Sequence, residues 1–162
     1  MARALIVACG CRGRLLGGRL LEQGWAVRGT TRSEAGLAAI EATGIEAALA
    51  DPDRPGTLLE HVGDVAVVHW LLGSARGDRD SVAAIHGSRL ERFLEKLVDT
   101  PVRGFVYEAT GTVDPPDLAR GAAAVRVAAD TWRIPVELVE ADPNEPSAWV
   151  EEMLSATRRL TS

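Results

Sequence analysis

Two short stretches of this sequence carry residue types and spacings suited to holding a phosphorylated ligand. The first is Ala8-Cys9-Gly10-Cys11-Arg12-Gly13, which follows the apolar run Ala4-Leu5-Ile6-Val7-Ala8 and precedes a helical pattern of Leu15, Leu16, Leu20 and Leu21. A diphosphate in such a turn meets unpaired N–H groups at a helix start and the positive end of the helix dipole. Gly10 lets a phosphate approach the main chain, and Gly13 lets the first helix pack closely on the strands. The usual spacing for this task is G-x-G-x-x-G, and Ala8 holds the first glycine's place. Alanine fits an ordinary strand end but not a positive φ, so a slightly reshaped turn is expected. Gly10 and Gly13 equally suit a plain strand-to-helix turn, so the surroundings must decide.

The second stretch, Thr30-Thr31-Arg32-Ser33, ends the strand that follows. An acidic residue here would hydrogen-bond a ribose 2′-hydroxyl, whereas a 2′-phosphate needs cations and hydroxyl donors. No carboxylate occurs until Glu34. A phosphomonoester carries roughly −1.5 to −2 charges near neutral pH, which the planar fork of Arg32 can meet. Arg12 is the second candidate cation, and the plain alternative for Arg32 is a solvated surface residue. The residues favour NADP(H) over NAD(H). The same missing acid argues against S-adenosylmethionine.

These stretches need a scaffold, and the chain supplies a regular one. The first helix stops at Gly24, and a second strand runs from Trp25 to Thr31. Ser33 caps a helix that carries Leu37 and Ile40 and ends at Gly44. A third strand, Ile45 to Ala50, closes on Asp51-Pro52-Asp53, and a short helix spans Thr57 to Val62. Asp64 to Leu72 is the most apolar run and reads as a central fourth strand, broken by Gly73-Ser74-Ala75. One long helix is expected from Gly77 to Val98, then a fifth strand from Val102 to Glu108. A helix from Pro115-Pro116 to Trp132, a sixth strand from Ile134 to Glu140 and a final helix capped by Ser147 complete the pattern. Strict alternation calls for an α/β fold: a doubly wound parallel sheet of six strands in three layers, order 3-2-1-4-5-6, the Rossmann arrangement. Residues 1–162 read as a single NAD(P)-binding domain.

Composition narrows the function. The net charge is −5 with no basic stripe, which leaves nucleic acid without a footprint. No apolar run approaches the roughly 20 residues of a membrane span, and the opening run is too short for a signal-peptide core. A cytoplasmic location is expected. Cys9 and Cys11 are too close for an unstrained disulfide and lack histidine neighbours, so no metal site is expected.

The segment ACGCRG-x3-G-x2-LL-x2-G-x-x-V-x-G-x2-R resembles the opening of atypical and extended short-chain dehydrogenase/reductases, the NAD-dependent epimerase/dehydratase and NmrA-like proteins. The resemblance implies that Asp51 approaches the adenine and that Leu71-Leu72-Gly73 passes under the cofactor. It implies that Val106-Tyr107-Glu108-Ala109-Thr110-Gly111 is the strand-five segment, with Thr110 nearest to the family's catalytic hydroxyl. The cofactor-binding set is then Ala8, Gly10, Cys11, Arg12, Gly13, Thr31, Arg32, Ser33, Asp51, Leu71, Leu72, Gly73 and Thr110. The helices at 77–98 and 116–132 resemble those that pair two subunits of a homodimer.

The family's usual proton-transfer pair, Tyr-x-x-x-Lys, is missing. The chain has one tyrosine, Tyr107, with Gly111 four residues on, and its one lysine is Lys96. An epimerase or dehydratase mechanism is therefore not expected. Thr110 and Glu108 are the catalytic candidates, Glu108 as a carboxyl whose pKa burial could raise or as a hydrogen-bonding brace. His69 reads as a core histidine, and His61 and His86 as ordinary helix residues. Three functions stay open: an NADPH-dependent oxidoreductase working by hydride positioning, an NmrA-like sensor or partner subunit without chemistry, and a degenerate scaffold that binds no dinucleotide.

Overall fold

The computed structural model describes residues 1–162, and in it the apolar runs become six strands: β1 (Arg3–Val7), β2 (Ala26–Thr31), β3 (Glu46–Leu49), β4 (Val67–Trp70), β5 (Gly104–Glu108) and β6 (Val136–Val139). All pair in parallel, in the order β3-β2-β1-β4-β5-β6. This is the Rossmann order expected from the alternation. A strand points successive side chains to opposite faces, and β1 shows the consequence. Leu5 and Val7 enter one apolar layer, Ala4 and Ile6 the other. The first layer is covered by α3 (Pro55–Leu59), α4 (Arg79–Ile85), α5 (Ser88–Lys96) and α6 (Pro115–Trp132). The second is covered by α1 (Cys11–Glu22), α2 (Glu34–Glu41) and α7 (Pro146–Thr161). No helix is long and apolar enough to cross a membrane.

The structure corrects the expected elements at several points. The helix expected over 77–98 is two helices, separated at His86-Gly87. Gly87 lies against Arg120, where any Cβ would press on the guanidinium at 2.5 Å, and His86 is pulled inward to buried partners. The fourth strand spans only Val67–Trp70, because the main chain beyond Trp70 turns away to form the crevice wall. The final helix starts at Pro146, with Glu145 rather than Ser147 in the capping position.

The expectation for Ala8 also fails. It adopts the left-handed region, φ +63°, where glycine is at home, so the alanine bears the strain. Left-handed geometry costs an L-residue about 1–2 kcal/mol, and glycine's extra unfolded-state freedom offsets roughly 0.5–1 kcal/mol of the relief. Ala8→Gly should therefore stabilise the protein by about 0.5–1 kcal/mol, read as a higher urea midpoint at unchanged m.

Because β1 leads to β2 on one side while β4 leads to β5 on the other, the loops at their C-terminal ends part and leave a crevice.

Candidate functional site

Two clefts lie along that crevice. The first, about 530 Å³, runs from the β1 turn to the ends of β2 and β3 and the start of α4. Its walls include Ala8, Gly10, Arg14, Thr31, Arg32, Asp51, Leu72 and Arg76. The second, about 460 Å³, lies over β5 and β6 and is lined entirely by non-hydrophobic residues, among them Arg12, Ser74, Arg76, Thr110 and Asn144. Both are of the size that small-molecule sites have.

The turn between β1 and α1 is built from both sides. The Ala8 N–H donates to the Thr30 hydroxyl at 3.0 Å, and the Cys9 N–H to the Thr30 carbonyl at 2.8 Å. Cys9 points inward onto Gly29, where a Cβ would stand 2.7 Å from its sulfur, and burial pushes its thiol up to about 12. It is packing material. Gly13 lies close under Ile6, 3.2 Å from an added Cβ, whereas a Cβ on Gly10 would meet nothing within 4 Å. The first helical bond is donated by the Arg14 N–H to the Gly10 carbonyl, which leaves the N–H groups of Cys11, Arg12 and Gly13 without acceptors.

Charge at this helix start is inverted from the usual rule. The first turn of α1 has no acidic residue and holds Arg12 and Arg14 instead. Cations at a helix N-terminus oppose the macrodipole by about 0.3–1 kcal/mol each. The four arginines lining the clefts, Arg12, Arg14, Arg32 and Arg76, have no carboxylate partner; of the thirteen elsewhere, seven are paired and six are not. The acids of the first cleft are engaged. Asp51 accepts from the Asp53 N–H, Asp53 pairs with Arg89, and Asp78 accepts from Ser81. Such a lining can receive an anion.

The structure separates the two cations that the sequence paired. Arg32 lines the first cleft as expected, but Arg12 lines the second, and the α1 arginine that shares the first cleft with Arg32 is Arg14. Residues two apart on a helix lie about 200° apart around the axis, so Arg12 and Arg14 face different clefts. Arg12 sits over the Trp149 ring, 6.0 Å from its centroid, with Nε buried and unpaired.

Of the other expected residues, Ala8, Gly10, Thr31, Asp51 and Leu72 line the first cleft and Thr110 the second. Cys11, Gly13, Ser33, Leu71 and Gly73 line neither, although Cys11 and Gly13 supply free N–H groups and Gly73 lies just behind the wall. Thr110 does not present a free hydroxyl proton, because it donates to the Ala141 carbonyl at 2.8 Å. Glu108 is 1% exposed and accepts from the Gly73 N–H and the Trp149 indole, each at 2.9 Å. Burial raises its carboxyl above the ordinary range, against the lowering pull of Gly73, Arg12 and Trp149. The brace role fits this geometry. Arg14, Arg76, Val82, Ile85 and Trp149 escaped the sequence reading. Helical spacing on α1 could have found Arg14, but nothing local marks Trp149.

Two of the three histidines, His69 and His86, are fully buried, on opposite faces of the sheet. His86 accepts from the Tyr107 hydroxyl at Nδ1 (2.6 Å) and donates from Nε2 to the Leu72 carbonyl (2.8 Å), so it is no ordinary helix residue. His69 donates from Nε2 to Thr157, whose own proton goes to the Met153 carbonyl. Its Nδ1 has no partner, and complete burial lowers the imidazole from 6.5 to about 4. Between these values the unfolded chain binds a proton that the fold refuses. His69 therefore gives full stability above pH 6.5 and loses about 3 kcal/mol as pH falls towards 4. His86 acts in the same direction, whereas the raised Glu108 carboxyl acts oppositely, losing stability as pH rises through its range. Urea unfolding of the parent and His69→Gln across pH 4–7 isolates the His69 share as a flatter profile in the variant.

No family model matches the sequence, and no curated protein matches it. Solved structures do match the fold. A short-chain dehydrogenase/reductase superfamily protein from Agrobacterium tumefaciens with bound NAD is 20% identical, with a TM-score of 0.69 over 84% of this chain and 48% of that one. UDP-glucuronic acid 4-epimerase from Bacillus cereus in complex with NAD is 16% identical, TM-score 0.66, over 84% and 54%. Vestitone reductase from alfalfa is 15% identical, TM-score 0.64, over 85% and 56%. The chain spans about half the length of these structures.

Proposed function

We propose that this chain is a nicotinamide-dinucleotide-binding Rossmann domain of the atypical short-chain dehydrogenase/reductase kind, and that it takes NADP(H) in preference to NAD(H). The observation that carries the reading is the set of arginines in the first cleft without a carboxylate partner, two of which, Arg14 and Arg32, line it together with Thr31 at the end of β2. The residues fit the group. The free N–H groups of Cys11, Arg12 and Gly13 would take the diphosphate, and Arg14 and Arg32 the 2′-phosphate. Ala50, Val82 and Ile85 would flank the adenine, with Asp51 at its edge. When bound, the nicotinamide supplies a hydride donor or acceptor.

The second cleft favours a binding module over an acid–base enzyme. Tyr107 is buried in the layer under α6, the Thr110 proton is committed, and Glu108 is walled in. We therefore place the chain with NADP(H) sensors or partner subunits, with hydride positioning as the alternative chemistry. The shallow apolar face of α5 and α6, with Val127 60% and Trp132 41% exposed, suits a second copy of the chain.

Thermal unfolding with each dinucleotide tests the reading. At 100 times Kd a ligand adds about 2.7 kcal/mol, which raises Tm by roughly 5–10 °C for a domain of this size. NADP⁺ should give that shift at a lower concentration than NAD⁺. No shift with either overturns the proposal, and a larger response to NAD⁺ overturns the preference. NADPH oxidation with quinones, flavins or aldehydes would overturn the binding-module assignment.

A further inference from the structure

The peptide unit joining Leu72 to Gly73 is gripped at both ends by buried side chains. Its carbonyl accepts from His86 Nε2 at 2.8 Å, and its N–H donates to Glu108 Oε1 at 2.9 Å. Each grip is itself anchored. The Tyr107 hydroxyl donates to His86 Nδ1 at 2.6 Å, and the Trp149 indole donates to Glu108 Oε2 at 2.9 Å. Tyr107 and Glu108 are neighbours on β5, and a strand sends adjacent side chains to opposite faces. The two anchors therefore reach one peptide from the two sides of the sheet, and all four side chains are at most 1% exposed.

An ordinary surface loop satisfies such a peptide with main chain or water. Here four buried polar groups do it, each of which would be a liability if left unmatched. The location gives the arrangement a purpose. Leu72 lines the first cleft, Ser74 the second and Arg76 both, so the gripped peptide forms the ridge between them. The ridge is also wedged against the loop after β5, since a methyl group on Gly73 would overlap the Thr110 carbonyl oxygen. A ligand confined to the first cleft meets the ridge only from its Leu72 side. One that occupies both clefts must cross it.

We propose that His86 and Glu108 are positioning residues that hold the Leu72–Gly73 peptide in one orientation, so that the ridge is set before a two-cleft ligand arrives. The identity of that ligand, a dinucleotide, rests on the function proposed above; the grip itself does not.

Calorimetry with two probes separates positioning from a general role in folding. Adenosine 2′,5′-bisphosphate fits the first cleft alone, whereas NADP⁺ spans both. Glutamine at 108 has one acceptor oxygen and cannot serve both Gly73 and Trp149. Glu108→Gln and His86→Leu should each weaken NADP⁺ by about tenfold or more while leaving the bisphosphate within about twofold. His86→Gln, whose amide can donate to Leu72 and accept from Tyr107, should restore most of the loss. Parallel loss of both probes, or unchanged NADP⁺ affinity, overturns the proposal.

Hydrogen exchange at the Gly73 amide supplies the ligand-free measurement. It should be slow in the parent and fast in Glu108→Leu, which keeps no acceptor for that N–H, and free exchange in the parent overturns the grip. Should the parent bind neither probe, the dinucleotide reading falls while the Gly73 exchange still decides the grip.

Discussion

An Arg14→Ala/Arg32→Ala double variant should bind NADP⁺ about a hundredfold more weakly than the parent and NAD⁺ within about twofold of it. A hydrogen bond to a charged group is worth about 1.5–3 kcal/mol, and two such bonds at the lower end give that factor. NAD⁺ lacks the 2′-phosphate and is the internal control. Both arginines line the first cleft without a carboxylate partner, so their removal strands no buried charge. In the unliganded protein Arg14 opposes the α1 dipole, and Arg14→Ala alone should leave stability unchanged or slightly raised. Equal losses for both dinucleotides would move these cations to the diphosphate. No loss for either would remove them from the site.

The largest expected effect on stability lies across the sheet. Trp149→Ala should destabilise the protein by about 4 kcal/mol or more, read as a lower urea midpoint. Truncating a buried tryptophan alone costs about 3–5 kcal/mol, and the indole is fully buried. The variant also leaves Glu108 Oε2 without its donor, and an unsatisfied buried acceptor costs a further 1–3 kcal/mol or so. Trp149→Phe keeps much of the volume and loses the hydrogen bond, so it should fall between parent and alanine. A Trp149→Ala loss near about 3 kcal/mol would mean that Glu108 finds another partner or water, and one below about 2 kcal/mol that the surroundings also collapse into the gap.

Local pattern carried the fold. Short apolar runs, glycines ending helices at Gly24 and Gly44, and strict alternation of strand and helix are signals within about ten residues. Both glycines do adopt positive φ, at +92° and +86°. The glycine turn and Arg32 were legible for the same reason. The failures share a cause too. Ala8 takes a conformation that its side chain disfavours because the turn around it is held by Thr30, 22 residues away. The break at His86-Gly87 follows from Tyr107, Leu72 and Arg120, none of them adjacent in sequence. Glu108 and Trp149 are separated by 41 residues, so nothing near either one announces the other. Arg14 is different, since its facing could have been read from α1 periodicity.

The Trp149–Glu108 bond has a consequence for the order in which the protein is assembled. Trp149 lies in the first turn of α7, whereas the ridge it steadies through Glu108 belongs to the loop after β4. On a chain emerging from the ribosome, the sheet's central strands are complete well before that tryptophan is made. A nascent chain halted before Pro146 would carry all three arginines of the first cleft and only half of the support beneath its far wall.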